Sequence, residues 1–356
     1  MNHLRWGILS AANIARKNWK AIHRSGTSVV AAVASRSLER SREFIRECQV
    51  EAAFPTPPRA LDSYEELVAS QDVDALYVPL PTGLRKEWVL RAAAAGKHII
   101  CEKPCGVSAA DVREMIDACR ANGVQFMDGV MFMHNPRMKR IGEALDDRSM
   151  GEIKRIMSGF SFFMDEKTAD GNVRLDSRLE PAGSLGDLGW YCVRFALWAM
   201  RWKLPREVSG RILSQAGSSH SPVPVPIDFS GELVFENGAS LGFYTSFKAE
   251  YQNWVHVSGT KGYLRLGDFV HARSDHEPAF ELSGNEVRVK CCECGAEHTE
   301  AGALNQQTHM IRNFVAQVQS GRLNEEWPDT ALKTQQVIDA CLESARRGGA
   351  SVAIKS

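Results

Sequence analysis

The sequence predicts two domains: an α/β domain with a doubly wound parallel sheet, followed by an α+β domain with a large, mostly antiparallel open sheet. The chain has 356 residues, of which 44% are hydrophobic, and this is too long for one ordinary core. Up to residue 127, short apolar strands alternate with helices, whereas long strands follow one another from residue 152 onward. We therefore predict domains at 1–127 and 128–356.

The charge and the composition exclude several classes of partner. Lysine plus arginine and aspartate plus glutamate both number 43, so no net field draws the chain to nucleic acid or anionic lipid. No stretch approaches the roughly 20 apolar residues of a membrane span, and the polar start Met1–Arg5 is unlike a signal peptide. Nine scattered cysteines indicate reduced thiols. We expect a cytoplasmic protein that acts on a small molecule, with no nucleic-acid or membrane partner.

Strands and helices alternate through the first 127 residues. Apolar runs predict strands at 5–9, 28–34, 75–78, 99–101 and 124–127. Amphipathic stretches predict helices near 14–24, 37–48, 63–69, 84–95 and 108–121. This alternation requires a parallel sheet with right-handed crossovers.

The turn after the first strand occupies the place of a dinucleotide site. The usual fingerprint, glycine-x-glycine-x-x-glycine, lets a pyrophosphate approach backbone amides and a helix N-terminus. Here Ser10, Ala12 and Ala15 occupy the glycine positions, and their small side chains keep most of the room. A plain strand–helix joint is the alternative. The predicted cofactor-binding residues of this turn are Ser10, Ala11, Ala12, Asn13 and Ile14.

The end of the second strand favours NADP over NAD. An NAD-binding chain normally places an acid here for the ribose 2′-hydroxyl. This chain has Ser35, Arg36 and Ser37 instead, and a guanidinium offers a planar fork to a 2′-phosphate. We predict that Ser35 and Arg36 bind NADP, with NAD possible. The alternative is an exposed arginine before a helix.

The next two strand ends carry rigid or charged residues. Strand 75–78 ends in Pro79, Leu80 and Pro81, and the following helix carries Arg85 outward or toward a cleft. Strand 99–101 stops at Glu102 and Lys103, and the proline after the lysine disfavours a helical backbone there. Open α/β sheets bind ligands at this edge. We predict that Pro79, Leu80, Pro81, Glu102 and Lys103 contact the cofactor and that Arg85 contacts substrate; solvated charges at a turn are the alternative.

The run after the fifth strand could line a cleft with His134, Asn135 and Arg137. It follows the carboxyl end of a parallel strand, which favours substrate binding by these three residues. The alternative is an ordinary loop in which Asn135 caps a helix over 136–147.

The second half predicts a mostly antiparallel sheet. Long apolar runs predict strands at 152–163, 207–215, 229–235, 239–247, 252–259 and 262–266, with helices near 303–319 and 328–347 and a last strand at 351–354. Asn237-Gly238 predicts a hairpin with a two-residue primed turn. A broad sheet covered on one face needs a partner for its other face, so we expect a homodimer or homotetramer through this sheet.

The cysteine-rich run Cys291-Cys292-Glu293-Cys294 with His298 resembles half of a zinc site. Structural zinc sites usually take four ligands from two separated pairs, and a second pair is missing. A surface turn between strands is therefore the favoured interpretation, and no metal is predicted.

A second group of reactive side chains lies between the long strands. The small residues of Pro181–Gly186 open an apolar helix in which Asp187 and Tyr191 are four residues apart, on one helical face. A buried carboxylate needs a polar partner, which is either a backbone group or a ligand. The alternative is an acid at a helix start and a tyrosine in the core.

Several segments together resemble the Gfo/Idh/MocA family, named after glucose-fructose oxidoreductase, inositol dehydrogenase and rhizopine catabolism. The segments are Ala95–Pro104, Pro79–Pro81, Gly183–Tyr191 and Gly259–Gly262, and the match covers nearly the whole chain. The resemblance implies a Rossmann nucleotide domain followed by a substrate domain on an open sheet. It also implies hydride exchange between NAD(P) and a sugar, a polyol or a related cyclic alcohol.

The resemblance implies roles for three residues. Lys103 matches the lysine of the family's glutamate-lysine-proline motif, and Asp187 matches the acid at the start of the substrate-domain helix. Many members have histidine at the position of Tyr191. Members that resemble glucose-fructose oxidoreductase, xylose dehydrogenase and dihydrodiol dehydrogenase have tyrosine there, as this chain does. Thr82 and Arg85 stand where asparagine and histidine are frequent, so the substrate stays open.

The expected mechanism needs one group to take the hydroxyl proton and another to hold the oxygen. We assign Tyr191 as general acid/base, Lys103 as the cation that orients the oxygen and favours tyrosinate, and Asp187 as the group that fixes substrate hydroxyls. The roles of Lys103 and Tyr191 could be exchanged. Because the nicotinamide carries the redox step, a metal is not needed.

Two alternative functions remain. One is reduction of a non-sugar carbonyl or oxidation of a trans-dihydrodiol. The other is a non-catalytic, nucleotide-sensing regulator on the same scaffold, since fold does not fix function. Retention of the lysine, the acid and the tyrosine together disfavours a regulator, because a sensor has no use for all three.

Overall fold

The structure is a computed structural model that describes residues 3–147, 149–165, 169, 171–273, 278–289 and 305–354. The chain divides into two compact units. The first comprises Met1–Gly106, Ala110–His134 and Leu304–Ala331, and the second comprises Val107–Ala109, Asn135–Ala303 and Leu332–Ser356. The division into functional domains at 127/128 stays a prediction.

The first unit contains a parallel sheet whose strands are β1 (Leu4–Leu9), β2 (Ser28–Ala34), β3 (Arg59–Leu61), β4 (Ala75–Val78), β5 (His98–Cys101) and β6 (Phe126–Asp128). Their order is β3-β2-β1-β4-β5-β6, so the chain direction across the sheet reverses between β1 and β4. This is the doubly wound arrangement that the alternating pattern predicted. All four residues of β4 are buried, as expected for a central strand with helices on both faces.

Nine α-helices lie in the described part of the chain: α1 (Asn13–Ser25), α2 (Leu38–Glu51), α3 (Tyr64–Ala69), α4 (Thr82–Ala94), α5 (Ala109–Ala121), α6 (Pro136–Asp146), α7 (Trp190–Ala199), α8 (Gln306–Gln319) and α9 (Glu326–Arg346). Ser37 and Ser63 cap α2 and α3 by accepting a backbone N–H from the third residue beyond them. Helix α8 packs in the first unit, where Phe314 lies 5.3 Å from Trp6 between ring centroids. The local signals thus place most helix starts, whereas the position of α8 depends on packing.

The second unit is built on a nine-stranded sheet with the strands β7 (Ile153–Ser161), β8 (Glu207–Ala216), β9 (Val225–Val234), β10 (Ser240–Ser246), β11 (Gln252–Gly259), β12 (Tyr263–Leu266), β13 (Ala279–Leu282), β14 (Asn285–Arg288) and β15 (Val352–Ala353). Their order is β14-β13-β12-β11-β7-β10-β9-β8-β15. Only the pairing of β10 with β7 is parallel among these described strands. The predicted fold class is confirmed for both units.

The hairpin between β9 and β10 forms where it was predicted, but its turn is of a different type. A primed two-residue turn on Asn237-Gly238, whether of type I′ or II′, needs a positive φ at Asn237, its first central residue. Here Gly238 has a φ of 78°, whereas Asn237 keeps a negative φ. Gly238 N–H donates to the carbonyl of Phe235, and Phe235 N–H donates to that of Ala239. The connection is therefore a three-residue loop that ends in a left-handed glycine, and the prediction of a primed turn was wrong.

The helix that carries Asp187 and Tyr191 begins with an irregular turn. Residues Leu185–Gly189 are π-helical and lead directly into α7, all of whose residues except Trp198 are buried. The π-helical turn packs against β9 and β10. Single π-helical turns widen a helix locally and are frequent at functional sites.

None of the described helices is long and apolar enough to cross a membrane.

Gly183 is the residue that permits this helix to start so close to β9. It has a φ of +49°, and a Cβ atom there would lie 2.0 Å from the carbonyl oxygen of Pro226. We predict that Gly183→Ala lowers the free energy of unfolding by about 3 kcal/mol, because both the backbone and β9 must move. The matched control is Gly238→Ala, which has a positive φ but nothing within 4 Å of the new Cβ, and should cost about 1 kcal/mol. Urea unfolding measures both; equal losses would contradict the predicted contact.

Candidate functional site

The carboxyl ends of three strands in the first unit lie at one level. Ile8 of β1 pairs with Tyr77 of β4, which pairs with Ile100 of β5. Two residues further along each strand, Ser10, Pro79 and Glu102 reach the same edge of the sheet. The sequence-predicted cofactor residues of the first unit therefore follow neighbouring strands at the edge where doubly wound sheets bind ligands.

The turn between β1 and α1 fits a dinucleotide phosphate. The N-cap residue Ala12 has an extended backbone and makes no side-chain capping bond, so it leaves the first amides of α1 without a competing side chain. Ser10, Ala11 and Ala12 are partly exposed and small. Asn13 begins the helix, and Ile14 is 38% exposed. These are the features that a pyrophosphate at this helix end requires.

Ser10 has the backbone conformation of a glycine. Its φ of 137° is strained for a residue with a side chain, which agrees with its place at a glycine position of the fingerprint. Its hydroxyl forms a hydrogen bond with Tyr64, at the start of α3. The serine thus adds a side-chain contact that glycine could not make.

Two guanidinium groups lie near Tyr64. Burial raises the pKa of the Tyr64 phenol, and the hydrogen bond with Ser10 and the charges of Arg36 and Arg40 oppose this rise. Arg36 and Arg40 are both exposed. Ser35 is buried instead, and its hydroxyl donates to the carbonyl of Ser37 at 2.8 Å. The arrangement offers two cations to an anion beside β2, and the sequence indicated only one of them.

Arg85 links two loops at this edge of the sheet. It is 6% exposed, and its Nε donates to the carbonyl of Leu80 at 2.6 Å. Its Nη1 donates to Thr82 Oγ1 at 3.0 Å and to the carbonyl of Pro104. The guanidinium therefore connects the Pro79–Pro81 lip with the loop that carries Lys103. Its predicted contact with substrate stays a prediction.

Glu102 is a buried acid directly before Lys103. It is 8% exposed, its Oε1 accepts from the Tyr77 hydroxyl at 2.6 Å, and its Oε2 accepts from the Lys103 N–H at 3.2 Å. Burial raises the pKa of Glu102, and the Tyr77 bond and the charges of Arg85 and Lys103 counteract this rise. Tyr77 was not predicted as a site residue, because its sequence context shows only a buried strand.

In the second unit, Asp187 has a cationic partner that the sequence did not reveal. Arg174 Nε donates to Asp187 Oδ2 at 2.7 Å, and the Asp187 carboxylate raises the pKa of Arg174. Arg174 also interacts electrostatically with Tyr191. Tyr191 is 6% exposed, and its ring lies 5.6 Å from that of Phe160. Asp187 and Tyr191 are thus associated through one guanidinium, which comes from a separate short 3₁₀ helix at Val173–Leu175.

Three further predicted substrate residues have protein partners. His134, in the first unit, pairs its Nδ1 with Asn313 Nδ2 at 3.0 Å. Asn135 caps α6 by accepting from the N–H of Arg137, as its alternative interpretation expected. Arg137 is fully buried, and its Nη1 donates to Asp268 Oδ1 at 2.6 Å. The substrate role of these three residues stays a prediction.

The described residues contain no group of three or more His, Cys, Asp or Glu side chains that could hold a metal ion. The run Cys291–Cys294 and His298 lie outside the described residues. A cavity of about 660 Å³ lies at the opposite edge of the first sheet, lined by residues that include Arg5, Val29 and Asp74. These residues start or precede their strands, so the cavity lies away from the predicted cofactor edge.

Comparisons with known proteins identify both halves of the chain. Residues 4–130 match the Gfo/Idh/MocA oxidoreductase family with an NAD-binding Rossmann fold, and residues 138–265 match a Gfo/Idh/MocA C-terminal domain. The trans-1,2-dihydrobenzene-1,2-diol dehydrogenase of Mus musculus is 32% identical over 74% of each chain. The D-xylose 1-dehydrogenase (NADP(+)) 2 of Haloferax volcanii is 28% identical over 98% of this chain and 99% of its own.

The fold is also that of a solved enzyme structure. The crystal structure of aldose-aldose oxidoreductase from Caulobacter crescentus, complexed with glycerol, superposes with a TM-score of 0.82 over 99% of this chain and 100% of its own, at 23% identity. That likeness bears on the fold alone. The two matched domains and the mouse relative at 32% identity lead to one conclusion: the chain belongs to the Gfo/Idh/MocA family of NAD-binding oxidoreductases.

Proposed function

We propose that the chain is an NADP-preferring dehydrogenase that exchanges hydride with a CH–OH group of a sugar, a polyol or a related cyclic alcohol. The observation that supports this most is Lys103 directly beyond β5, at the sheet edge that also carries the uncapped β1–α1 turn. Relatives named as an NADP(+)-dependent xylose dehydrogenase and a dihydrodiol dehydrogenase support the substrate class.

The cofactor, when bound, supplies the hydride donor or acceptor. The turn Ser10–Ile14 binds its pyrophosphate through backbone amides and the N-terminal end of α1. Arg36, joined by Arg40, binds the 2′-phosphate, because two guanidinium groups beside Tyr64 form an anion site. Pro79, Leu80, Pro81, Glu102 and Lys103 form the lip on which the rest of the cofactor rests.

The proton is moved by the chain's own side chains. Tyr191 takes the hydroxyl proton, Lys103 orients the alcohol oxygen, and Asp187 fixes substrate hydroxyls. Arg174 stabilises negative charge on Tyr191 and holds Asp187 in one orientation through its 2.7 Å bond. His134, Asn135, Arg137 and Arg85 contribute to substrate binding.

A second candidate substrate is a non-sugar cyclic diol or its carbonyl. The mouse relative at 32% identity is named for a trans-dihydrodiol, which favours testing this class beside sugars. A non-catalytic nucleotide sensor is disfavoured because Lys103, Asp187 and Tyr191 are all present. Turnover of D-xylose compared with trans-1,2-dihydrobenzene-1,2-diol separates the two enzymatic candidates, and tight NADP binding without any turnover would favour the sensor.

The outer face of the nine-stranded sheet is proposed to join copies of this chain as a homodimer or homotetramer. Met157 on β7 is 39% exposed and Leu213 on β8 is 57% exposed. The indole of Trp254 lies next to Gly159, where an added Cβ would come 2.8–2.9 Å from three indole atoms.

We also propose a cytoplasmic location, because six described cysteines are free, buried thiols.

The catalytic assignment predicts that Lys103→Met and Tyr191→Phe each lower kcat by about 10²- to 10⁴-fold. Steady-state oxidation of D-xylose and of trans-1,2-dihydrobenzene-1,2-diol with NADP⁺ measures this. Lys261→Met and Tyr263→Phe make the same chemical changes away from the proposed residues and should leave kcat within threefold. Wild-type kcat in both active-site variants would exclude the mechanism.

The cofactor assignment predicts that the double variant Arg36→Ser with Arg40→Ser lowers the preference for NADP⁺ over NAD⁺ by at least about 100-fold, because each of the two guanidinium–phosphate bonds contributes about 1.5–3 kcal/mol. Fluorescence titration gives both dissociation constants. Arg42→Ser removes the same charge from the same helix and should leave the ratio unchanged. An unchanged ratio in the double variant would reject the 2′-phosphate site.

The assembly proposal predicts that light scattering finds twice or four times the protomer mass at micromolar concentration. Combining Met157→Glu with Leu213→Glu should give protomers, since carboxylates buried between two copies resist desolvation. Val50→Glu, at a side chain that is 84% exposed in the first unit, is the control and should keep the assembly. A monomeric wild-type chain would contradict the proposal.

A further inference from the structure

A buried chain of hydrogen bonds connects α1 to the backbone of Lys103. Asn18 Nδ2 donates to the Tyr77 hydroxyl at 2.8 Å, and that hydroxyl donates to Glu102 Oε1 at 2.6 Å. Glu102 Oε2 then accepts from the Lys103 N–H at 3.2 Å. The exposed fractions of Asn18, Tyr77 and Glu102 are 2%, 0% and 8%, so water does not compete for these bonds.

The hydrogen bonds between Asn18, Tyr77 and Glu102 have a defined donor-to-acceptor direction. Asn18 Nδ2 also faces the carbonyl of Ile14 at 3.4 Å, so this atom must be the amide donor. Since a hydroxyl has one proton, a donor on one side of Tyr77 directs its proton to Glu102. Burial and the nearby Glu102 charge raise the pKa of Tyr77 well above its usual value, which keeps the phenol a donor.

Stability alone does not account for these residues. The Asn18 Oδ1 atom is buried with no hydrogen-bond partner among the described residues, which is unfavourable for the fold. Glu102 is a buried acid whose pKa burial raises, so its ionisation is less favourable in the folded chain than in the unfolded chain. A Cβ atom at Gly129 would lie 3.0 Å from Glu102 Oε1, so the absence of a side chain there leaves room for the carboxylate.

We propose that Asn18, Tyr77 and Glu102 are positioning residues that orient the Lys103 backbone, and thereby its amine, relative to the phosphate-binding helix α1. The inference rests on the proposed role of Lys103 in hydride exchange. Asn18 lies on the first turns of α1, whose N-terminal end is the proposed phosphate site. These hydrogen bonds therefore connect the proposed phosphate site to Lys103, the residue proposed to orient the alcohol oxygen.

Two variants interrupt this series of hydrogen bonds with little change in side-chain size. Tyr77→Phe removes the only proton that reaches Glu102 from β4. Glu102→Gln keeps the shape of the side chain, but neither orientation of the new amide satisfies both neighbours. In one orientation its NH₂ group faces the Lys103 N–H, which is also a donor. In the other its NH₂ group faces the Tyr77 hydroxyl, which already accepts from Asn18 and needs an acceptor for its own proton. Tyr263→Phe is the matched control, because it removes an equivalent tyrosine bond of 2.7 Å to Glu281 in the second unit.

The expected result combines three measurements on the full chain. With D-xylose or trans-1,2-dihydrobenzene-1,2-diol as substrate, kcat falls at least tenfold in Tyr77→Phe and Glu102→Gln, while KM in both variants and the NADP⁺ dissociation constant in Tyr77→Phe stay within threefold. Amide hydrogen exchange at Lys103 becomes at least tenfold faster in both variants, a readout that needs no turnover. Tyr263→Phe changes none of these quantities.

Thermal unfolding separates positioning from a purely structural role. Because the pKa of Glu102 is raised above about 4.5 in the folded state, the contribution of Glu102 to wild-type stability is greatest below that pH and falls as pH rises through the raised pKa. Glu102→Gln lacks this loss, so its melting temperature relative to wild type rises between pH 4.5 and pH 7. A variant that becomes relatively more stable while kcat falls has lost positioning and not folding.

The outcomes distinguish this inference from the function on which it rests. If Lys103→Met abolishes turnover but Tyr77→Phe and Glu102→Gln keep wild-type kcat and Lys103 exchange, the inference is overturned and the proposed function stands. If Lys103→Met itself keeps wild-type kcat, the inference is overturned together with the role of Lys103 on which it rests. Loss of kcat in all three variants with faster Lys103 exchange supports the inference.

Discussion

The register of the parallel strands β1, β4 and β5 is the constraint on which the chemistry of the first unit depends. Since these strands are parallel and paired in register, the residues that follow them reach one edge of the sheet together. Arg85 then joins two of the emerging loops by donating to the carbonyls of Leu80 and Pro104. Loop carbonyls that are buried need donors, and one guanidinium supplies several in a fixed geometry. The loop that carries Lys103 is therefore held by a side chain and not only by its own backbone.

The second unit meets a comparable requirement in a different way. Its helix starts with a π-helical turn, which places Asp187 outside regular α-helical spacing. Arg174 compensates the carboxylate at 2.7 Å from a separate part of the chain. The ion pair limits how far the Asp187 side chain turns. Asp187 is thus held by a partner that its own helix does not supply.

Glu102 and Ser10 are held in positions beside the proposed cofactor site that lower the stability of the fold. A carboxyl in an apolar surrounding raises its pKa and favours the neutral form, and Tyr77 and the Lys103 N–H reduce that penalty without abolishing it. Ser10 shows the same balance in the backbone, where a strained φ of 137° is retained beside a hydrogen bond with Tyr64. Both departures lie at the edge of the sheet where the proposed cofactor site is located.

The sequence by itself determined the fold class, the strands that end at the candidate site and the turn of small residues before α1, because apolar periodicity and strand-end chemistry act over a few residues. It did not predict β3, β13 or β14, because charged residues interrupt each of these short strands and leave no apolar run. It missed the partners of Asp187, Glu102 and Ser10, since Arg174, Tyr77 and Tyr64 reach them only in the folded chain. Tertiary structure also decided that Arg137 pairs with Asp268, 131 residues away. The physical reason is that a buried polar group must find a partner, and which partner lies within 3 Å depends on how the elements pack.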